Sequence, residues 1–254
     1  MTADDRALAR RAIALIDLTE LADEADAAAL HRLCATAPGG GVIPPVAAVC
    51  VWPRHVALAK SLWQGRIATV VNFPSGAEPV DVVVAATKAA LADGADEIDF
   101  VLPWQAFLAG RAGEAAITLA AVRAVIPAPA RLKVILETGA YSDAATIRRA
   151  SDLAIAGGAD FIKTSTGKIA AGASPEAARA MLEAIRAAAR PVGLKPSGGI
   201  RTLADARAYL DLAESIMGAG WATPETFRFG ASGLHATLAG VVKSESGNAP
   251  ESGY

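Results

Sequence analysis

Short apolar segments alternate with alanine-rich helical segments along most of this chain, and this alternation limits its fold more than any other feature. Segments typical of β-strands are at 46–51, 66–72, 96–102, 132–138, 160–165, 192–195, 214–218 and 227–231. Helical segments rich in Ala, Leu, Glu and Arg are at 79–93, 113–125, 142–157, 175–189 and 203–213. A regular order of strand then helix predicts a parallel sheet.

Two helix starts are marked by their own residues. Ser174 followed by Pro175 is typical of an N-cap and the first helical position. Thr202 with Asp205 resembles a capping box that has Asp in place of Glu. We therefore expect helices to begin just after Ser174 and Thr202.

The number of β/α units favours one architecture. Eight units in about 200 residues, after an N-terminal helical segment, fit a (β/α)8 TIM barrel better than an open doubly wound sheet. The segment GGGVIPP at 39–45 precedes a strand and does not open a helix, so we interpret it as a loop and not a phosphate cradle. Because the interior has no linker, residues 1–254 are predicted to form a single domain, and the polar residues 244–254 a flexible tail.

The composition argues against several classes of function. The chain has 24 Lys and Arg against 26 Asp and Glu, a formal net charge of -2, so we expect no nucleic-acid partner. No segment is suited to span a membrane or to act as a signal peptide, which predicts a cytoplasmic protein. Cys34 and Cys50 are expected to be reduced thiols. The three histidines are scattered in sequence, so no metal site is predicted.

Charged residues inside the predicted strands are the first indication of a site, because strand residues of a barrel are buried on both faces. A two-residue period puts Glu97 and Asp99 on one face of their strand. The same parity directs six charged side chains inward: Glu97, Asp99, Lys133, Glu137, Lys163 and Lys195. Structural ion pairs are the favoured interpretation for Glu97, Lys133 and Glu137.

Lys163 and Lys195 favour a catalytic interpretation. Both lie at the C-terminal ends of their strands, where barrel enzymes carry their active sites. Lysine is also the scarcer cation, with seven Lys against seventeen Arg. A lysine whose pKa is lowered by burial and a neighbouring cation can attack a carbonyl as a neutral amine.

Three glycine-containing loops follow late strands and offer backbone N–H groups to an anion. Such loops commonly bind phosphate on this side of a barrel, so we predict a phosphate site there. Its residues are Thr166, Gly167 and Lys168; Ser197, Gly198, Gly199 and Arg201; and Gly230, Ser232 and Gly233.

Six motifs in a fixed order carry a family resemblance. They are IDLT (16–19), GADEIDFVLP (94–103), LKVILETG (132–139), FIKTSTGK (161–168), GLKPSGGIR (193–201) and RFGAS (228–232). Together they resemble the 2-deoxy-D-ribose 5-phosphate aldolase family, from about residue 13 to Tyr254, and FIKTSTGK is the most specific of them.

The resemblance implies a class I, metal-free lyase on a (β/α)8 barrel. It would reversibly cleave 2-deoxy-D-ribose 5-phosphate to D-glyceraldehyde 3-phosphate and acetaldehyde, without a cofactor. The implied partners are a small sugar phosphate and acetaldehyde, with no nucleic acid or membrane. The resemblance also implies a place in deoxyribonucleotide catabolism. Barrels of this size often dimerise through exposed helix faces, so a homodimer is a further expectation.

The resemblance also assigns roles to individual residues. Lys163 would form the Schiff base, Lys195 would lower its pKa, and Asp99 with a bound water would act as general acid and base. Asp17 and Thr19 match polar residues beside the pocket, and the three loops match the family's phosphate site. Relatives often have a second Ser where this chain has Gly233. The terminal Tyr254 would enter the pocket and aid proton transfer at the enamine carbon.

Two other functions stay open at this point. One is a different Schiff-base sugar-phosphate aldolase or a transaldolase. The other is a non-catalytic sugar-phosphate-binding barrel, which would keep the glycine loops but would not need Lys163 beside Lys195. Trapping of an adduct with borohydride distinguishes the catalytic barrels from the binding protein.

Overall fold

Eight parallel strands form one sheet in the computed structural model, which describes residues 2–244. The strands are β1 (Ile16–Glu20), β2 (Ala48–Val51), β3 (Arg66–Val71), β4 (Glu97–Val101), β5 (Arg131–Ile135), β6 (Phe161–Lys163), β7 (Gly193–Lys195) and β8 (Phe229–Ala231). They pair in the order β7-β6-β5-β4-β3-β2-β1-β8. The Arg228 N–H donates to the Leu194 carbonyl at 3.0 Å and the Gly230 N–H to the Pro196 carbonyl at 2.9 Å, which joins the two ends of the sheet. The predicted (β/α)8 barrel is confirmed.

Helices connect the strands and cover the outside of the barrel. They are α1 (Ala3–Ile13), α2 (Ala27–Thr36), α3 (Val56–Leu62), α4 (Val80–Ala92), α5 (Trp104–Leu108), α6 (Ala112–Ala124), α7 (Ala144–Ala156), α8 (Pro175–Ala187), α9 (Leu203–Met217) and α10 (Leu234–Lys243). Both predicted helix starts are confirmed: Ser174 accepts from the Ala177 N–H, and Thr202 and Asp205 form a reciprocal capping box. Within residues 2–244, no helix combines the length and apolar character needed to cross a membrane.

The predicted strand at 214–218 is wrong. Its residues finish α9, which continues to Met217 and ends at Gly218, a glycine with φ of 101°. The apolar residues Ile216 and Met217 pack against the same core as the preceding turns of this helix. A short apolar run at the end of a helix has the same composition as a short buried strand, so the pattern did not separate them.

The missing eighth strand is β1, which the sequence interpretation included in the N-terminal helical segment. The helical part of that segment is confirmed as α1, which ends at Ile13. The strand begins at Ile16, only two residues after the helix. Such a short connection leaves no turn signal to mark the change from helix to strand.

The inside of the barrel has an apolar side and a charged side. Cys50, Ala68 and Val70 form a small apolar cluster on β2 and β3. Residues in register on neighbouring parallel strands point to the same side of the sheet, and Val70 is in register with Asp99, and Asp99 with Lys133. The outward residues Ile98 and Phe100 belong to the main core beneath the helices. The predicted parity of β4 is therefore confirmed.

Candidate active site

A cavity of about 690 Å³ opens at the carboxyl ends of the strands. The loops after β1, β6, β7 and β8 supply its walls. Twelve residues predicted for the site line it: Thr19, Lys163, Thr166, Gly167, Lys168, Ser197, Gly198, Gly199, Arg201, Gly230, Ser232 and Gly233. Glu20, Leu21, Ala22, Ile200 and Thr237 also line it and were not predicted. The predicted residues come from loops far apart in sequence, and the barrel brings them to one place.

Lys163 is the last residue of β6 and one of the residues that line this cavity. Its side chain is almost fully buried, and its Nζ donates to Asp99 Oδ2 at 2.9 Å. Burial lowers the pKa of Lys163, the Asp99 carboxylate opposes that shift, and the Lys195 ammonium adds to it. A larger fraction of this lysine is therefore a neutral amine near pH 7 than for an exposed lysine.

Lys195 lies beside Lys163, its partner in register on β7. Its Nζ donates to Asp99 Oδ2 at 2.7 Å and forms an ion pair with Asp17 Oδ2 at 2.6 Å. Burial disfavours the ammonium, but Asp17 and Asp99 outweigh burial and raise the pKa of Lys195 far above its usual range. Lys195 therefore holds its proton more firmly than Lys163 does, and it places a positive charge next to the titratable Lys163.

Asp99 connects three lysines. Oδ1 accepts from Lys133 Nζ at 2.9 Å, and Oδ2 accepts from Lys163 and Lys195. Burial favours the neutral acid, but the three ammonium groups hold the pKa of Asp99 well below its usual range. Asp99 is thus a carboxylate that can accept a proton.

A second layer of charge lies beneath these residues. The Arg228 guanidinium donates to Asp17 Oδ1 at 2.5 Å and to Glu97 Oε1 at 2.9 Å. Lys133 Nζ contacts Glu97 and lies 3.4 Å from Asp17 Oδ2. Asp17 was predicted only as a residue beside the pocket, and the structure places it fully buried in this ion-pair network.

Arg228 was not singled out by the sequence analysis. It lies in the predicted strand 227–231 and in the motif RFGAS, two residues before Gly230, so the parity rule applied to that strand would have found it. With Arg228 the network holds four cations against three carboxylates, an excess of one positive charge. Its members are Asp17, Glu97, Asp99, Lys133, Lys163, Lys195 and Arg228.

Glu137 does not align with Lys133 as predicted. The strand β5 ends at Ile135, and Glu137 has a left-handed backbone with φ of 61°. Its carboxylate accepts from the Thr166 hydroxyl at 2.6 Å and from the Thr166 N–H at 3.2 Å. Glu137 therefore orders the loop after β6 and is outside the ion-pair network.

The three predicted phosphate loops meet at the cavity. Gly167, Gly198 and Gly199 have φ of 77°, 87° and 85°, values that only glycine adopts readily. Gly198 also lies so close to Gly172 that a Cβ would come within 3.1 Å of the Gly172 Cα. The helix α10 begins after Gly233 without a side-chain cap, so its first N–H groups have no side-chain acceptor at the N-cap.

Lys168 lines the cavity but its ammonium contacts the loop after β1. Nζ donates to the Leu21 carbonyl at 2.8 Å and lies 5.8 Å from the centre of the Trp52 ring. Trp52 Nε1 donates to the next carbonyl, that of Ala22, at 3.1 Å. Lys168 and Trp52 together fix one wall of the cavity.

Two further predictions concern Tyr254 and metal binding. Tyr254 and the tail beyond Ser244 lie outside the described residues. Within residues 2–244, no group of three or more His, Cys, Asp or Glu side chains is arranged to hold a metal ion.

Comparison with known proteins identifies related sequences and structures. The sequence model described as DeoC/LacD family aldolase matches residues 11–240. A deoxyribose-phosphate aldolase from Agrobacterium fabrum (strain C58 / ATCC 33970) is 50% identical over 253 residues, covering 98% of this chain and 97% of that protein. A provisionally named deoxyribose-phosphate aldolase from Toxoplasma gondii ME49, solved in its apo form, has a TM-score of 0.88 at 26% identity over 97% of this chain and 100% of its own. A tetrameric deoxyribose phosphate aldolase from Aeropyrum pernix has a TM-score of 0.73 at 24% identity, over 94% of this chain and 92% of its own, which shows the shared fold.

Proposed function

The chain belongs to the DeoC/LacD family of aldolases, and we propose that it is a class I lyase that reversibly cleaves 2-deoxy-D-ribose 5-phosphate to D-glyceraldehyde 3-phosphate and acetaldehyde. One observation carries the Schiff-base mechanism. Lys163 has a lowered pKa, lines the cavity, and lies beside the ammonium of Lys195.

The chemistry of the proposed cleavage follows from the contacts of Lys163. Its neutral amine adds to the C1 aldehyde of the sugar, and loss of water leaves an iminium. The C3 hydroxyl gives its proton to a base, the C2–C3 bond breaks, and its electrons pass to the iminium nitrogen to form an enamine. A proton then returns to C2, and water releases acetaldehyde and restores the lysine.

Asp99 is the base that the geometry supports. Its carboxylate is 2.9 Å from Lys163 Nζ, and its low pKa keeps it ionised before the reaction. We propose that it works through a bound water, since Oδ2 already accepts from two lysines. Lys195 would stabilise the negative charge that remains on Asp99 while Lys163 is neutral.

Phosphate binding is proposed for the three glycine loops. The backbone N–H groups around Gly167, Gly198 and Gly199 and the start of α10 would hold the phosphate, with Ser232 as a hydroxyl donor and Arg201 at the rim of the cavity. Gly233 offers its backbone N–H in place of a second hydroxyl. Thr19, at the end of β1, lines the same cavity and would contact the sugar.

Tyr254 is proposed as a proton carrier at the enamine carbon, on the basis of the family resemblance alone. The substitution Tyr254→Phe is expected to slow proton exchange on the methyl group of acetaldehyde and to leave Schiff-base formation intact. Exchange at the rate of the unchanged protein would reject this role.

The experiment that tests the function is a cleavage assay with EDTA present. We expect cleavage of 2-deoxy-D-ribose 5-phosphate and no comparable cleavage of fructose phosphates. Lys163→Arg keeps the positive charge but cannot form the imine, so it should lose about 10³-fold in kcat/KM or more. Lys60→Met, at a surface ion pair with Asp96, serves as the matched control and should keep full activity.

Preference for fructose phosphates would support a different Schiff-base aldolase or a transaldolase. Binding of sugar phosphates without any cleavage would support a non-catalytic barrel. Full activity of Lys163→Arg would reject the Schiff-base mechanism.

The domain organisation, the cellular location and the oligomeric state are also proposed. We propose that residues 1–254 form one domain, because all eight strands belong to one sheet. A phosphorylated substrate is charged and stays inside the cell, which supports a cytoplasmic role in deoxyribonucleotide catabolism.

We also propose a homodimer, because Val82 on α4 and Ile117 on α6 are 48% and 66% exposed on helices that contact each other. Light scattering of the protein and of Ile117→Lys tests the dimer.

A further inference from the structure

Arg228 is the largest fully buried side chain among the described residues, and it lies beneath the catalytic cavity. Its Nε donates to the Pro224 carbonyl at 2.5 Å, and its two amino groups donate to Asp17 and Glu97. The guanidinium also lies 5.5 Å from the centre of the Phe161 ring. A fully buried guanidinium is costly unless its donors are satisfied, and here each nitrogen has an acceptor.

The backbone leaves space for this arrangement. Gly193 faces Phe161, and a Cβ at Gly193 would lie 2.3 Å from the Phe161 ring. Without that space the ring could not lie inside the barrel below Lys163, and Arg228 would lose the surface on which it packs. Gly230, two residues after Arg228, leaves comparable space for Lys195, since a Cβ there would lie 3.0 Å from the Lys195 Cε.

Asp17 links Arg228 to the lysines, because its two carboxylate oxygens contact Arg228 and Lys195. Its Oδ1 accepts from Arg228, and its Oδ2 forms the ion pair with Lys195 at 2.6 Å. The guanidinium therefore sets the rotation of the Asp17 carboxylate and, through it, the place of the Lys195 ammonium. Lys195 shares Asp99 Oδ2 with Lys163, so a chain of direct contacts leads from Arg228 to Lys163.

The charge of Arg228 matters as much as its position. A guanidinium does not lose its proton in a protein, whereas an ammonium can. With Arg228 present, four cations face three carboxylates, and the network becomes neutral when one lysine gives up a proton. Among residues 2–244, Lys133 has three carboxylates within ion-pair distance and Lys195 has two, whereas Lys163 has Asp99 alone.

We propose that Arg228 is a positioning residue of the aldolase reaction: it fixes Asp17 from beneath the cavity and supplies the permanent charge that leaves Lys163 as the lysine that becomes neutral. This inference rests on the Schiff-base function proposed above. Arg228 touches neither the cavity nor the reacting atoms, and it acts through Asp17 and Lys195.

Among the described residues, the other groups around Lys163 do not supply a positive charge that could replace that of Arg228. The Cys50 thiol on β2 is buried, which raises its pKa and keeps it neutral. The Glu137 carboxylate is held by Thr166, and burial raises its pKa. On β3 the inward residue is the apolar Val70. In the part of the chain that the structure describes, the charged and titratable groups that face the network are thus Asp17, Cys50, Glu97, Asp99, Lys133, Glu137, Lys163, Lys195 and Arg228.

The test measures how fast acetaldehyde is trapped on Lys163 by cyanoborohydride across a range of pH. The rate rises as Lys163 loses its proton, so the pH at half-maximal rate reports its apparent pKa. In Arg228→Met we expect this midpoint to rise by about one pH unit, which lowers trapping near pH 7 about tenfold. Arg228→Lys keeps a cation, but an ammonium can release its proton, so we expect its midpoint to lie between those of the unchanged protein and Arg228→Met.

Glu97 provides a matched variant that removes the opposite charge. Glu97→Gln should lower the midpoint, because it increases the excess of positive charge. The double variant Glu97→Gln/Arg228→Met removes one charge of each sign and should return the midpoint to within about 0.3 pH unit of the unchanged protein, a twofold change in rate. Since Glu97→Gln and Arg228→Lys each keep a cation at residue 228, they test the inference even if Arg228→Met does not fold.

The outcomes separate this inference from the function on which it rests. If the unchanged protein traps no acetaldehyde on Lys163, the proposed function is wrong and the inference is wrong with it. If the unchanged protein does trap acetaldehyde, a midpoint that is the same in Glu97→Gln, Arg228→Met and the double variant would show that Arg228 has a structural role only, and the inference would be overturned.

Discussion

Lys163 and Lys195 meet on a single carboxylate oxygen, Asp99 Oδ2, at 2.9 Å and 2.7 Å. The two lysines are partners in register on β6 and β7, so the barrel itself sets this approach. Two ammonium groups on one oxygen repel each other, and Lys195 has the additional carboxylate of Asp17. The repulsion is therefore relieved by loss of the proton from Lys163, which is the form needed for attack on an aldehyde.

Removing the charge of Lys195 should make Lys163 a poorer nucleophile at neutral pH. In Lys195→Met, Asp99 Oδ2 would pair with Lys163 alone, and the pKa of Lys163 would rise. A rise of about two pH units would lower kcat/KM near pH 7 about 10²-fold and shift the pH profile towards alkaline values. Lys195→Arg keeps the charge and should keep the wild-type pH profile, although its larger side chain will lower the rate. An unshifted pH profile in Lys195→Met would contradict this role of Lys195.

Lys168 should affect phosphorylated substrates selectively. Its ammonium donates to the Leu21 carbonyl at the wall of the cavity that the glycine loops share. We expect this ammonium to move from Leu21 to the phosphate of the bound sugar. Lys168→Met would then lose one charge-assisted hydrogen bond to the phosphate, which should raise KM for 2-deoxy-D-ribose 5-phosphate about tenfold, with little change in kcat. The KM for unphosphorylated 2-deoxy-D-ribose should change much less. Equal changes for both sugars would show that Lys168 acts only by holding the loop after β1.

The buried carboxylates should make the fold sensitive to acid. The lysines and Arg228 hold the pKa values of Asp17, Glu97 and Asp99 below their usual range, although burial opposes this. Between the folded and unfolded pKa values the unfolded chain binds more protons, so the free energy of unfolding falls as pH falls below about 4. Urea midpoints measured from pH 7 to pH 3 test this. Asp152→Asn, at an exposed pair with Arg148, should leave the pH dependence unchanged.

Gly193→Ala should destabilise the protein because its Cβ would meet the Phe161 ring at 2.3 Å. Overpacking of this kind costs about 1–3 kcal/mol, which a urea unfolding curve resolves. Gly113→Ala on α6 is the matched control, since an added Cβ there meets no described residue within 4 Å. It should leave the free energy of unfolding unchanged or raise it slightly. Equal stability of both variants would show that Phe161 can move away without cost.

Much of the site could be predicted because side chains two residues apart on a strand point to the same face, and a parallel barrel aligns its strands. Asp99, Lys163 and Lys195 were placed inward by this rule, and they do meet at Asp99. The rule fails for Glu137 because it assumes that the strand continues, whereas β5 ends at Ile135. The positions of Asp17 and Glu97 relative to Arg228 depend on contacts between strands that are far apart in sequence, which a local pattern does not contain.

The predicted number of eight β/α units was correct although one predicted strand was wrong and one strand was missed. Residues 214–218 finish a helix, and Ile16–Glu20 is the strand that was missed. Both errors concern segments of about five residues next to a helix, where composition alone does not distinguish the two structures. The helices that begin after Ser174 and Thr202 were predicted well because capping residues mark their starts.

Reductive trapping followed by peptide mapping tests the central claim most directly. The protein is incubated with acetaldehyde, the iminium is reduced with borohydride, and the modified peptide is identified by mass spectrometry. We predict one ethyl group on Lys163, in the peptide that contains FIKTSTGK. An ethyl group on Lys133 or Lys195 in place of Lys163, or no buried lysine modified at all, would contradict the assignment of Lys163 as the Schiff-base lysine.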